Sequence, residues 1–257
     1  MTVLAFFGCA LTAYGPALAL FALTIAKDPV KIIILILSAF FWLLSLLLSS
    51  VLWFAVVPLR DKLAFGLVFS VLFQELFRLF IYLLLRKADA YLKKLTENEH
   101  TQIFANKHIL AYVVGLGFGM MSGAFSLVNV LADTYGPGTV GFGGEPKDFF
   151  MASAGLCLAT ILLHTAWGVI TFAALDCRRW IHLAYVWVAH LTFSCLTLLN
   201  ANYLYPATVL PAYVILAVSA TLAFQVSGGT MEGLKSCIPG RPKRLQVVLQ
   251  TETEVIN

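Results

Sequence analysis

The sequence predicts an all-α membrane protein built from seven transmembrane helices, and three observations carry that expectation. Of 257 residues, 60% are hydrophobic and only 12% are charged, against roughly 45–50% and about 25% in soluble domains, which excludes a water-soluble globule. The 17 Lys/Arg and 13 Asp/Glu gather in short clusters between apolar runs, and each run can form a helix of about 20 residues, enough to cross a bilayer. Segments of about ten residues alternating apolar with polar, which would mark a membrane barrel, are absent, so the spans are helices whose backbone groups are satisfied within each segment.

The first run extends from about Val3 to Ala26. Its first positive charge, Lys27, follows the apolar stretch instead of preceding it, so it reads as an uncleaved span and not as a signal peptide. Further runs cover about Ile32 to Val57, Leu63 to Leu85, Ile109 to Ala132 and Phe149 to Leu175. From Trp180 to Met231 no formal charge occurs, yet 52 residues are too many for one helix. The polar, proline-containing stretch Asn200-Ala-Asn-Tyr-Leu-Tyr-Pro206 divides it into a sixth span, to about Leu199, and a seventh, from about Val209. Residues 1–233 thus form the membrane domain and 234–257 a cytosolic tail. No connection is long enough to house a separate soluble domain, and no internal repeat is visible, which argues against a transporter of duplicated halves.

Charge sets the orientation. The connections after spans one, three and five, with the tail, hold 13 of the 17 Lys/Arg, among them Lys27, Lys31, Lys93, Lys94, Arg178 and Arg179; the opposite connections hold Arg60, Lys62 and Lys147. By the positive-inside rule the richer side is cytosolic, so the N-terminus is exoplasmic and the C-terminus cytosolic. The net charge of +4 follows from this asymmetry and points to no nucleic acid. Cys9, Cys157, Cys177, Cys195 and Cys237 lack CxxC spacing, so neither a disulfide framework nor a zinc site is indicated. Cys237, beside a basic stretch, reads as a free thiol, with palmitoylation as the alternative.

Several chemistries fail on their own requirements. The G-x-G-x-x-G run at Gly136 to Gly141 sits in a connection between membrane helices and not between a strand and a helix, so it is a flexible turn. No H-E-x-x-H exists, and an aspartyl protease needs two membrane aspartates where Asp133 is the lone candidate. Ser122-Gly123 with His164 or His190 could make a rhomboid-like dyad, but that pattern has Gly two residues before the serine, and here the position is Met120. A seven-helix receptor is disfavoured because no D-R-Y-like triplet closes span three and no N-P-x-x-Y-like run closes span seven.

The small and polar residues inside the spans are the candidates for function. Gly115, Gly119 and Gly123 recur every four residues and form one flat stripe on span four, suited to close helix packing within the bundle or against a partner subunit. Glu75 and Arg78 lie one turn apart at mid-span, where pairing offsets the cost of about 2.5–3.5 kcal/mol for a charge at the helix centre. They read as a structural pair with Gln74 as a hydrogen-bonding neighbour. His164 and His190, on spans five and six, read as hydrogen-bonded imidazoles locking helices together. The alternative is a membrane metal-dependent hydrolase using His164, His190 and Asp133.

Against this reading, a run of ordered motifs closely resembles the anterior-pharynx-defective (Aph) subunit family of gamma-secretase. The motifs are Phe6-Phe-Gly-Cys9, Tyr14-Gly-Pro-Ala17, Asp28-Pro29, Ala39-Phe-Phe-Trp-Leu43 and Ser45-Leu-Leu-Leu-Ser49, then Gln74-Glu-Leu-Phe-Arg78 and the glycine stripe. Leu131-Ala-Asp133, Gly136-Pro-Gly138, Leu162-Leu-His-Thr-Ala-Trp167 and Ala189-His190 follow, and the match extends to about Gly229. The resemblance implies a seven-span, non-catalytic, cofactor-free scaffold that assembles with presenilin, nicastrin and the presenilin enhancer subunit. It implies that presenilin supplies the two catalytic aspartates, that the complex cleaves type I membrane proteins such as Notch and the amyloid precursor, and that it resides in the endoplasmic reticulum, Golgi, plasma membrane and endosomes. It associates Gly115, Gly119 and Gly123 with subunit assembly, and His164 and His190 with assembly and activity.

Overall fold

The computed structural model describes residues 3–59, 62–95, 107–135 and 149–230. Among the described residues seven α-helices follow in order: α1 (Val3–Thr24), α2 (Pro29–Ala55), α3 (Leu63–Leu95), α4 (Lys107–Tyr135), α5 (Phe149–Asp176), α6 (Trp180–Thr197) and α7 (Tyr205–Val226). Each is long and apolar enough to cross a membrane, and no strand occurs among the described residues. The chain is a multi-pass membrane protein. Gly136 to Gly141, Lys147, Cys237 and the expected tail lie outside the described residues, as do the side chains of Lys93, Lys94 and Asp133.

Helix ends follow local chemistry. Asp28 caps α2, its carboxylate accepting from the N–H groups of Val30 (3.1 Å) and Lys31 (3.4 Å), with Pro29 pre-set for the first turn. α5 ends where Arg178 takes a left-handed conformation (φ 53°) and the Arg179 N–H reaches back to the Ala174 carbonyl at 2.8 Å. Gly228 (φ 83°) plays the same part after α7.

Two expected boundaries move. Span three runs on to Leu95 instead of stopping near Leu85, because the apolar stretch marks where lipid ends, and the Arg-Lys-Ala-Asp-Ala that follows is good helix-forming sequence. Asp89, left outside the expected span, is consequently a buried helical residue. Span seven starts at Tyr205, four residues early, since Pro206 occupies the first turn and opens the helix instead of breaking it. It closes at Val226, after which Gly228 turns the chain.

α5 is the axis of the bundle. Some 78% of its most apolar stretch is buried and 56% of that of α4, against 17–33% for the other five helices, so those five keep a broad apolar side outward. α5 packs against α4, α7, α1, α6 and α3, while α2 joins α4 and α3. α1 contributes a face of small residues, with Ala13 and Ala17 wholly buried. Tyr14 of α1 and Cys157 of α5 both donate to the Gly123 carbonyl of α4 (3.1 and 3.4 Å), which ties the three helices at one point.

Candidate functional site

The sequence offers two separate polar pairs, one on α3 and one on α5 and α6. The structure brings all four residues into a single cluster. Arg78 donates through Nη1 to Glu75 Oε1 at 2.6 Å and through Nη2 to His164 Nδ1 at 2.7 Å. His190 Nδ1 lies 2.6 Å from the same Glu75 oxygen. A guanidinium only donates, so His164 accepts at Nδ1 and carries its proton on Nε2; a carboxylate only accepts, so His190 donates from Nδ1. The two imidazoles, 5.0 Å apart between centroids and nearly perpendicular, do not bond to each other. Each instead takes one member of the ion pair.

Every member is at most a few per cent exposed. Trp167 stacks on His190 (4.7 Å) and sits edge-on to His164 (5.6 Å), while the Arg78 guanidinium lies over the Phe118 ring at 5.4 Å. Buried in this way, the charges need both Coulombic neutralisation and hydrogen bonds; the cluster supplies neutralisation and bonds at Glu75 Oε1 and both Arg78 Nη atoms from α3, α5 and α6, with α4 as a wall, while Glu75 Oε2 and Arg78 Nε have no partner. Gln74 does not serve the ion pair as expected. Its side chain accepts from Trp42 Nε1 (3.1 Å) and donates to Ser70 Oγ (3.1 Å), joining α2 to α3 one turn away.

The glycine stripe faces the chain's own α5. A methyl group added at Gly115 would stand 2.7 Å from the Thr165 carbonyl oxygen, and one at Gly119 would stand 2.5 Å from that of Ile161. On α5, Gly168 returns the contact, a methyl there meeting Gly115 Cα at 2.6 Å. The α4 and α5 backbones are therefore in direct contact across Gly115, Gly119 and Gly168. At Gly123 the nearest atoms are instead side-chain ones, of Ile161 (2.7 Å) and Cys157 (3.2 Å). Two glycines that the stripe did not flag matter as much: Gly168 itself, and Gly117, which points the other way and lets α2 approach at the Leu35 carbonyl.

A second ion pair joins α3 to α5. Arg86 Nε donates to Asp176 Oδ1 at 3.0 Å, a further Arg86 nitrogen contacts Oδ2, and the Tyr82 hydroxyl donates to Oδ1 at 2.8 Å. Its sequence signal was an arginine just past one apolar run and an acid closing another, with no spacing to connect them.

As for catalysis, no group of three or more His, Cys, Asp and Glu that could hold a metal occurs among the described residues. The Nδ1 atoms of His164 and His190 are committed to Arg78 and Glu75. Ser122 lines the same cavity as His164 and His190, but no hydrogen bond joins it to either.

Comparison with known proteins matches residues 4–230 to the family model described as Aph-1 protein. The chain is 55% identical over 238 residues to the gamma-secretase subunit Aph-1 of Drosophila melanogaster, covering 93% of this chain and 99% of the fly protein. It is 48% identical over 252 residues to the gamma-secretase subunit Aph-1b of Danio rerio, covering 95% and 96% of the two chains. To the gamma-secretase subunit APH-1B of Mus musculus it is 46% identical over 247 residues, covering 93% and 94%.

Proposed function

This chain belongs to the Aph-1 family, and from that premise we propose that it is the non-catalytic scaffold of gamma-secretase, an intramembrane protease whose cutting groups reside in another subunit. Membership makes it a gamma-secretase subunit and hence part of a multi-subunit complex. The partners are presenilin, nicastrin and the presenilin enhancer subunit; presenilin brings the two catalytic aspartates. The complex matures presenilin and cleaves type I membrane proteins such as Notch and the amyloid precursor, in membranes from the endoplasmic reticulum to the plasma membrane and endosomes. The N-terminus is exoplasmic and the C-terminus cytosolic.

The observation that carries a scaffold role is how the buried polar groups are used. Glu75, Arg78, His164 and His190 bind one another across three helices, which fixes the relative rotation of α3, α5 and α6. The glycine contacts hold α4 against α5. Such a frame is rigid where it is polar and apolar where it faces outward, a surface suited to lipid and to partner helices. Gly115, Gly119 and Gly123 serve assembly through this frame, by keeping the chain's own helices in register. The experiment is purification of the tagged chain in mild detergent followed by mass spectrometry. Co-recovery of presenilin, nicastrin and the enhancer subunit is expected; recovery of the intact chain without them would reject the reading.

A further inference from the structure

Beside the ion cluster lies a cavity of about 470 Å³ that the scaffold role does not use. Its walls come from α2, α3, α4, α5 and α6. The order of lining residues along those helices gives its shape: Gln74, His164 and His190 lie deepest, whereas Trp53, Gly66 and Thr197 sit close to the α2–α3 and α6–α7 connections. The cavity thus runs from mid-bundle toward the face that the charge asymmetry makes exoplasmic. Hydroxyls of Ser49, Ser70, Ser122, Thr160 and Ser194 line it, interleaved with apolar Leu46, Leu67, Val71 and Phe193.

Glu75 and Arg78 do not line it; the two imidazoles do. They line it beside the ion pair, 1% and 3% exposed, each with Nδ1 bonded to the ion pair and no hydrogen bond at Nε2, which makes Nε2 the ring nitrogen left to serve the cavity. Arg78 donating into His164 Nδ1 leaves Nε2–H as a strengthened donor. Glu75 accepting from His190 Nδ1–H leaves Nε2 as a strengthened acceptor. With Glu75 cancelling Arg78, the wall offers one donor and one acceptor side by side and no net charge. An anion finds no cation to meet there and a cation no free carboxylate, whereas a hydroxyl accepts from one imidazole and donates to the other.

We propose that this cavity is a binding site for an uncharged hydroxyl-bearing ligand, the glycerol end of a neutral lipid or a free polyol, held between His164 and His190. Hydroxyls on the walls serve the remaining polar atoms of the ligand, and the apolar residues among them accept its carbon skeleton.

The test uses the full chain within its purified assembly. A 1-monoacylglycerol carrying a photoreactive diazirine near the headgroup is compared with phosphatidylcholine and phosphatidylserine probes bearing the same acyl chain. Labelling of cavity-lining peptides at least fivefold above both phospholipid probes is expected, falling at least fivefold in Ser194→Phe, which fills the space. Should that variant lose its fold, competition on the wild type decides. Displacement by excess monoolein alone assigns the hydroxyl to a lipid; displacement by free glycerol as well assigns it to a polyol entering from water, and both uphold the site. Equal labelling by the phospholipid probes, or labelling indifferent to both competitors, overturns it.

Discussion

Placing a single methyl group on the glycine stripe tests the packing that holds the bundle axis together. In Gly119→Ala the new Cβ would stand 2.5 Å from the Ile161 carbonyl oxygen, 3.0 Å from its Cα and 3.1 Å from its carbonyl carbon. Those are backbone atoms of a buried helix, so no rotamer can relieve the clash, and α4 and α5 must part by about 1 Å, a gap that forfeits a quarter to a half of each dispersion contact it opens. Overpacking of this kind costs about 1–3 kcal/mol. Gly15→Ala on α1 is the matched control, because a methyl there meets nothing within 4 Å. Both variants gain about 1 kcal/mol in helix propensity, so their difference isolates the steric cost. Gly123→Ala falls between them, since the nearest atoms there belong to the Ile161 and Cys157 side chains, and Ile161→Ala, which removes both Ile161 carbons that stand 2.7 Å away, should relieve that clash but not the one in Gly119→Ala. The assay is reversible unfolding of the purified chain in mixed micelles with rising SDS fraction. Equal stability of Gly119→Ala and Gly15→Ala would refute the claim that the α4 and α5 backbones touch.

Glu75→Gln leaves Arg78 buried without a counter-charge and should destabilise the chain by about 3–5 kcal/mol, whereas the double change Glu75→Leu with Arg78→Met should cost less than either single; losses that simply add, in the same unfolding assay, would contradict an ion pair. At His164 and His190, Gln or Asn should retain more complex and more protease output than Ala, and Lys should retain least because it adds a charge to a dry cluster. Complex recovery and cleavage are measured in the same membranes, and intact assembly with every substitution inactive would contradict a structural role. Single cysteines at positions 93 and 94 should label from the cytosol and at 147 from the exoplasm; cytosolic labelling of 147 would invert the topology.

Seven spans were legible because hydropathy over about 20 residues is a bulk property of the sequence. Helix ends were less so, since α3 continues on charged, helix-forming residues to Leu95 and α7 begins at the turn around Pro206. The Glu75–Arg78 pair could be read from spacing alone because both partners share one helix. Its junction with His164 and His190 could not, as those contacts span 86 and 115 residues and depend on how α5 and α6 rotate toward α3. Gly115 and Gly119 announced close packing, but nothing in their spacing said that α5 of the same chain would fill the surface, or that Gly117 would serve α2. Motif order supplied the family; hydrogen-bond geometry supplied the tautomers and the cavity wall.

The central claim, a scaffold that enables proteolysis without performing it, is tested most directly by replacement. Cells lacking their own Aph-1 are supplied with this chain, and recovery of the complex is measured together with cleavage of a presenilin substrate. The account predicts that wild type restores both, that Glu75→Gln loses both in parallel, and that an inhibitor directed at presenilin's aspartates abolishes the restored cleavage. Cleavage that persists under that inhibitor, or that is lost in Glu75→Gln while the complex forms in full, would contradict it.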